Sequence, residues 1–140
     1  MNQLKHITLT NFISEKGIKN KRIQLSYEVF GKELYSAPII LVNHALTGNS
    51  NVAGENGWWI DVVGENKVID TNFYTIISFN IPGNGYDGFV IENYKAFEAR
   101  DIANIFLLGL KALKIDGLFA LIGGSLASLL SATIAGMIIG

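Results

Sequence analysis

The chain of 140 residues is long enough for one domain with a buried core. Apolar residues make up 49% and charged residues only 16%, so the composition predicts a globular chain and excludes a disordered one. A net charge of −1 gives no electrostatic support for a nucleic-acid partner. The absence of cysteine excludes disulfides and thiolate metal sites and is consistent with a reducing compartment.

Four apolar runs in the first part of the chain predict strands. Ile7–Phe12 is a candidate first strand, and Ile23–Phe30 alternates polar and apolar residues as an edge or half-exposed strand does. Pro38–His44 and Phe73–Asn80 are almost continuously apolar, which is typical of central parallel strands buried on both faces. Residues 1–24 contain no uninterrupted apolar core, so they are not expected to be a signal peptide.

The second part of the chain predicts a helix and then a further strand. Four apolar residues of the helical stretch Glu98–Lys114 recur at spacings of four, four and three and share one face: Ile102, Phe106, Leu110 and Leu113. Leu118–Ile122 is the next predicted strand, and a short helix is expected near Trp58-Trp59. Strands that alternate with helices imply an α/β fold, with a mainly parallel sheet covered by helices on both faces.

Residues 118–140 carry no charge and are mostly apolar, which allows two interpretations. A run of this length could span a bilayer. However, Gly123-Gly-Ser125 interrupts it, and a buried strand followed by a buried helix has the same composition. The second interpretation is favoured, so a membrane partner is not expected.

Ser125 follows an apolar strand and two glycines and precedes a helix-like stretch. This is the pattern of a nucleophile elbow, in which a sharp turn presents a serine hydroxyl above the sheet. Such a serine needs a base, and in this architecture the carboxylate and the histidine follow it in the chain. Residues 126–140 contain no Asp, Glu or His. Since His6 and His44 both precede Ser125, His44 is interpreted as structural rather than as a proton relay.

The segment from His44 to Gly48 directly follows a predicted central strand. Ligands of open α/β sheets bind at the carboxyl ends of such strands. In a hydrolase of this architecture, the loop supplies one backbone N–H of the oxyanion hole, and the residue after the nucleophile supplies the other. The pattern therefore predicts the amides of Leu46 and Leu126 as the two donors.

Three stretches closely resemble the homoserine O-acetyltransferases, which belong to the α/β-hydrolase superfamily. They are Leu41–Gly54 with its His-Ala-Leu-Thr-Gly motif, Gly57–Gly64 with its Gly-Trp-Trp motif, and Val68–Ile77. The similarity continues through Ala99-Arg-Asp101 to Gly123-Gly-Ser125 and thus covers most of residues 20–126. It identifies the chain as similar to the amino-terminal part of a family member, so residues 1–140 are expected to be one portion of a single α/β-hydrolase domain.

The resemblance also implies the chemistry. Ser125 would be the acyl-accepting nucleophile, Leu46 and Leu126 the oxyanion donors, and Thr47 a wall of the substrate pocket. The family reaction transfers an acetyl group from acetyl-CoA to the serine and then to the homoserine hydroxyl, in cytoplasmic methionine biosynthesis. Acetyl-CoA is a substrate there, with no bound cofactor or metal. A homodimer remains open for an intact relative.

Departures from the family pattern leave other functions open. Leu126-Ala-Ser128 follows the serine where the family has Met-Gly-Gly, and the loop Asn80–Gly88 is shorter than its family counterpart. A generic serine esterase and a non-catalytic or membrane-associated product are the alternatives. The chain of 140 residues is expected to be inactive by itself, because no activating residue follows Ser125.

Several other residues have simpler interpretations. Trp58 and Trp59 are expected to pack against core and lid rather than to form a stacking platform for a ligand. Asp101 is expected to stabilise the first turn of its helix, and Arg100 is a candidate anchor for a loop. The glycine-rich segment Asn80–Gly88 lacks phosphate-binding spacing, so it is interpreted as a plain loop.

Overall fold

The computed structural model describes residues 3–88, 97–123, 131 and 133–135. Ser125 and Leu126, with the residues around them, lie outside this part of the chain. In chain order the elements are β1 (Lys5–Ile13), β2 (Lys19–Gly31), β3 (Ile39–Asn43), β4 (Val63–Gly64), β5 (Ile69–Asp70), β6 (Thr75–Phe79), α1 (Ala99–Ala112) and β7 (Ala120–Gly123).

Five strands form a mixed sheet in the order β1-β2-β6-β3-β7. The pairs β1–β2 and β2–β6 are antiparallel, whereas β3 pairs in parallel with β6 on one side and with β7 on the other. The predicted strands are confirmed, and the nearly continuous apolar runs are the parallel centre. The register sets Asn43, the last residue of β3, opposite Gly123, the last residue of β7.

The prediction of Ile23–Phe30 as an edge or half-exposed strand is wrong. This segment lies in β2, which has β1 on one side and β6 on the other. Its alternation arises because Ser26 and Glu28 are polar, and both side chains are nevertheless buried. Side chains from distant loops supply their hydrogen bonds, which the sequence pattern cannot reveal.

The two faces of the sheet are covered differently in the part of the chain that the structure describes. Helix α1 packs on one face, where its buried Phe106 and Leu110 join a core with β2, β3 and β6. The other face is covered by the segment between β3 and β6, through Val52, Val63 and Ile69. The prediction of helices on both faces therefore holds for one face, and a segment with little regular structure covers the other.

The helical face is confirmed at its centre, where Phe106 and Leu110 are buried, while Ile102 and Leu113 are only half-buried. The helix lies close to the sheet at Gly109, where an added Cβ would lie 2.6 Å from Leu25 Cδ2. A larger residue at this position would therefore require the side chain of Leu25 to move.

The start of α1 is fixed by a buried carboxylate. Asp101 is 1% exposed, and its two oxygens accept hydrogen bonds at 2.8 Å from the backbone N–H groups of Glu98 and Glu15. Arg100 lies beside it on the surface and pairs with the Glu15 carboxylate at 3.4 Å. The predicted roles of both residues are confirmed: Asp101 stabilises the first turn, and Arg100 contacts the β1–β2 turn.

The predicted short helix near Trp58-Trp59 is wrong. One turn occurs there, in which Trp59 C=O accepts from Val62 and Val63 N–H, and β4 begins at once. A single turn this short does not propagate a helix. The indole rings of Trp58 and Trp59 stack with their centroids 5.5 Å apart.

The possible membrane span is a separate question. No helix among the described residues is long and apolar enough to cross a membrane.

Candidate active site

The candidate site lies where β6, β3 and β7 end. Because these three strands are parallel, the segments that follow them leave the sheet at the same edge. The segment after β3 begins at His44, beside Gly123 at the end of β7. The predicted elbow serine follows Gly123 by two positions in the sequence.

A tight turn follows β3. The N–H of Gly48 donates to the C=O of Ala45 at 2.8 Å, so Leu46 and Thr47 occupy the corner of the turn, and both are exposed. Leu46 is 62% exposed, and its backbone N–H donates to no acceptor among the described residues. An N–H group in this position can bind an external oxygen, which is the property that the sequence predicts for Leu46.

The imidazole of His44 holds the start of this loop. It is buried, its Nε2 accepts a hydrogen bond from the N–H of Ile81 at 3.0 Å, and its Nδ1 lies 2.5 Å from the C=O of Ala45. An acceptor at Nε2 and a carbonyl at Nδ1 define the neutral tautomer with its proton on Nδ1.

Burial lowers the pKa of His44, and the hydrogen bond to Ala45 opposes this in part. Both ring nitrogens are engaged with the backbone, which supports the structural interpretation of this residue. His44 thus connects the loop after β3 with the loop after β6.

A buried polar cluster holds the end of the same loop. Ser50 Oγ donates to Glu28 at 2.6 Å and accepts from Asn80 Nδ2 at 2.8 Å, while Ser50 N–H donates to Asn80 Oδ1 at 2.8 Å. Asn80 Nδ2 also donates to Ser26 Oγ at 2.9 Å. All four side chains are buried.

The sequence interpretation missed this cluster. The sequence gives no clear signal for it, because Glu28 lies in a strand that alternates polar and apolar residues, where a charged residue is typical of an exposed position. Only its burial in the folded chain requires hydrogen-bond partners for the carboxylate.

Further contacts join the loop to its neighbours. Trp58 Nε1 donates to the C=O of Asn49 at 2.8 Å, which anchors the indole of this exposed residue to the loop. The expected packing against the core is confirmed for Trp59 but not for Trp58. Burial and, to a smaller extent, the nearby carboxylate of Glu28 raise the pKa of Tyr86.

A depression of about 620 Å³ lies elsewhere. It is lined by Phe30, Gly31 and Thr71, at the end of the sheet opposite to Leu46. Among the described residues no group of three His, Cys, Asp or Glu is placed to hold a metal ion. The edge of the sheet where β6, β3 and β7 end is the better candidate for an active site. The reason is the geometry of the loop after β3 and not the size of a cavity.

Comparison with known proteins agrees with this architecture. Residues 38–137 match the model of the family described as the alpha/beta hydrolase fold, and the chain belongs to this family. The predicted fold class is thereby confirmed.

Among individual relatives, the homoserine O-acetyltransferase of Geotalea uraniireducens (strain Rf4) is 38% identical over 128 residues, which are 76% of this chain and 34% of the relative. A crystal structure of homoserine O-acetyltransferase from Staphylococcus aureus superposes with a TM-score of 0.83 at 26% identity, covering 98% of this chain and 43% of that one. Esterase E22 superposes with a TM-score of 0.80 at 25% identity, covering 93% of this chain and 42% of that one.

These matches confirm the resemblance to homoserine O-acetyltransferases. The chain spans 24%, 30% and 28% of the length of three further curated relatives of that name. The activity of the full-length relatives therefore supports a proposal for this chain.

Proposed function

We propose that this chain carries the nucleophile and the oxyanion loop of an acyltransferase that moves an acetyl group from acetyl-CoA to the hydroxyl of homoserine. Ser125 is the nucleophile, the N–H groups of Leu46 and Leu126 bind the oxyanion, and Thr47 lines the substrate pocket. The supporting observation is that Leu46 is exposed and its N–H donates to no acceptor among the described residues, on a loop that starts beside the end of β7.

The chemistry follows from these roles. Ser125 Oγ attacks the acetyl carbonyl carbon and loses its proton to a base, and the carbonyl oxygen becomes negative. The two N–H groups stabilise that oxygen, and loss of one such donor typically costs about 10²–10³ in rate. The CoA thiolate then leaves, taking up a proton, and the homoserine hydroxyl attacks the acyl-serine and restores Ser125.

The base is the part that residues 126–140 do not supply. We therefore expect the polypeptide of 140 residues alone to release no CoA from acetyl-CoA in the presence of homoserine. The biosynthetic nature of the reaction and the absence of cysteine favour the cytoplasm as its location.

A chimera tests this function. Residues 1–128 are joined to the segment that follows the position corresponding to Ser128 in the Geotalea uraniireducens relative, and CoA release is followed with a thiol reagent. Homoserine-dependent release is expected, with loss of nearly all activity in the Ser125→Ala chimera. A folded chimera with no release, or release that persists in Ser125→Ala, would contradict the proposal.

A serine esterase of the same superfamily is the second candidate. It is supported by the superposition with esterase E22 and by Leu126-Ala-Ser128 in place of the Met-Gly-Gly of the acetyltransferases. The same chimera distinguishes the two, because an esterase would hydrolyse p-nitrophenyl acetate at a rate independent of homoserine. A transferase would require homoserine for turnover of acetyl-CoA.

A further inference from the structure

The carboxylate of Glu28 is buried inside the sheet, with only 5% of the residue exposed. Burial of a carboxylate costs several kcal/mol unless hydrogen bonds replace its water, and an apolar residue of similar shape often serves stability as well or better. The presence of the charge in β2 therefore calls for a role besides packing.

The contacts of Glu28 point to the loop after β3. It accepts from Ser50 Oγ at 2.6 Å, across 22 positions of the chain. The same hydroxyl accepts from Asn80, whose side-chain oxygen in turn binds the N–H of Ser50 at 2.8 Å. The hydroxyl and the N–H of Ser50 are thus both hydrogen-bonded. The carboxylate of Glu28 fixes the direction of the hydroxyl proton.

The loop is consequently held at both ends. His44 fixes its start through Ile81, and Ser50 fixes its end through Glu28, with the exposed corner at Leu46 between them. A hydrogen-bond donor for an oxyanion is effective only when it is oriented before the reaction. A loop of this length with one free end would not hold Leu46 N–H in a single direction.

We propose that Glu28 is a positioning residue, which acts through Ser50 to orient the loop that presents Leu46 N–H. This inference rests on the proposed oxyanion role of Leu46.

Amide hydrogen exchange of the 140-residue chain tests the inference without requiring turnover. Ser50→Ala removes the hydroxyl that joins Glu28 to the loop. A hydrogen bond to a charged group is worth about 1.5–3 kcal/mol, so exchange of the Gly48 amide should accelerate at least about tenfold while α1 stays protected. Unchanged exchange at Gly48 overturns the inference.

Ser26→Ala is the matched control. Ser26 is buried and bonds the same Asn80 side chain, but it lies on β2 and not on the loop, so its loss should change Gly48 exchange less than about threefold. Equal acceleration in both variants would assign the effect to Asn80 and overturn the role of Glu28.

Glu28→Gln covers the case in which Ser50→Ala unfolds the chain. The amide of Gln keeps the shape of Glu28 but replaces the charged acceptor of Ser50 by a neutral one, so exchange of the Gly48 amide should accelerate at least about threefold while α1 stays protected. Unchanged exchange at Gly48 in this variant overturns the inference. A loosened loop in Ser50→Ala together with an inactive chimera rejects the proposed function and leaves the positioning role of Glu28 standing.

Discussion

Neutral His44 makes the stability of the fold depend on pH. Burial lowers its pKa in the folded state from the ordinary value of 6.5, so the unfolded chain binds the proton more tightly. The free energy of unfolding should therefore be highest above pH 6.5. It should fall as the pH drops below 6.5, until the pH has passed the folded-state pKa.

The pKa of the histidine in the unfolded chain is enough to set an upper limit on this loss of unfolding free energy. One histidine that titrates at 6.5 when unfolded can remove at most about 1.4 kcal/mol between pH 8 and pH 5.5. Urea denaturation followed by tryptophan fluorescence across this range should show it, as a midpoint lower by up to about 1 M for a typical slope of the free energy with urea.

Two variants isolate the group responsible, because the chain has only two histidines. His44→Gln keeps an acceptor for Ile81 N–H but cannot titrate, so it should lower stability and flatten the pH dependence. His6 is exposed on β1, and His6→Gln should leave the dependence intact. A wild-type slope that survives in His44→Gln would refute the neutral, structural assignment of this imidazole.

Two further predictions concern the packing and the start of α1. Gly109→Ala should lower the free energy of unfolding by about 1 kcal/mol in urea denaturation, since the clash with Leu25 costs about 1–3 kcal/mol and the gain in helix propensity returns only about 1. Gly117→Ala, where an added Cβ meets nothing within 4 Å, should stay within about 0.5 kcal/mol, and an equal loss there would contradict the packing explanation. Asp101→Ala removes two hydrogen bonds to a buried charged group and should cost about 3 kcal/mol or more, whereas the neighbouring Arg100→Ala removes one exposed ion pair and should cost about 0–1 kcal/mol. Similar losses in these two variants would show that the buried carboxylate is not the anchor.

The central strands and α1 could be predicted because their signals are local. Ile39–Asn43 is continuously apolar, and Phe106 and Leu110 recur at helical spacing, so each stretch carries its own evidence. The two-residue strands β4 and β5 are too short to give any such pattern. The single turn after Trp58 was predicted as a helix for the same reason, since a few residues cannot distinguish a turn from a helix.

The candidate site was predictable in part. The position of Leu46 and Thr47 in a loop after a central strand follows from the order of the elements. The structural role of His44 could be predicted because a lone histidine at the end of a strand is more often structural than catalytic. Glu28 was not predictable, because its partner Ser50 belongs to another segment and the pairing exists only in the folded chain. The same cause led to the wrong assignment of β2 as an edge or half-exposed strand.

The contact between Asp101 and Glu15 has a consequence for folding. It joins residues 86 positions apart, so the loop it closes includes β2, β3 and β6. The turn of the β1–β2 hairpin is on the surface, yet one of its amides depends on a carboxylate at the start of a distant helix. We therefore expect this hairpin tip and the first turn of α1 to form late and together, because closing so long a loop is entropically unfavourable until the intervening strands have paired.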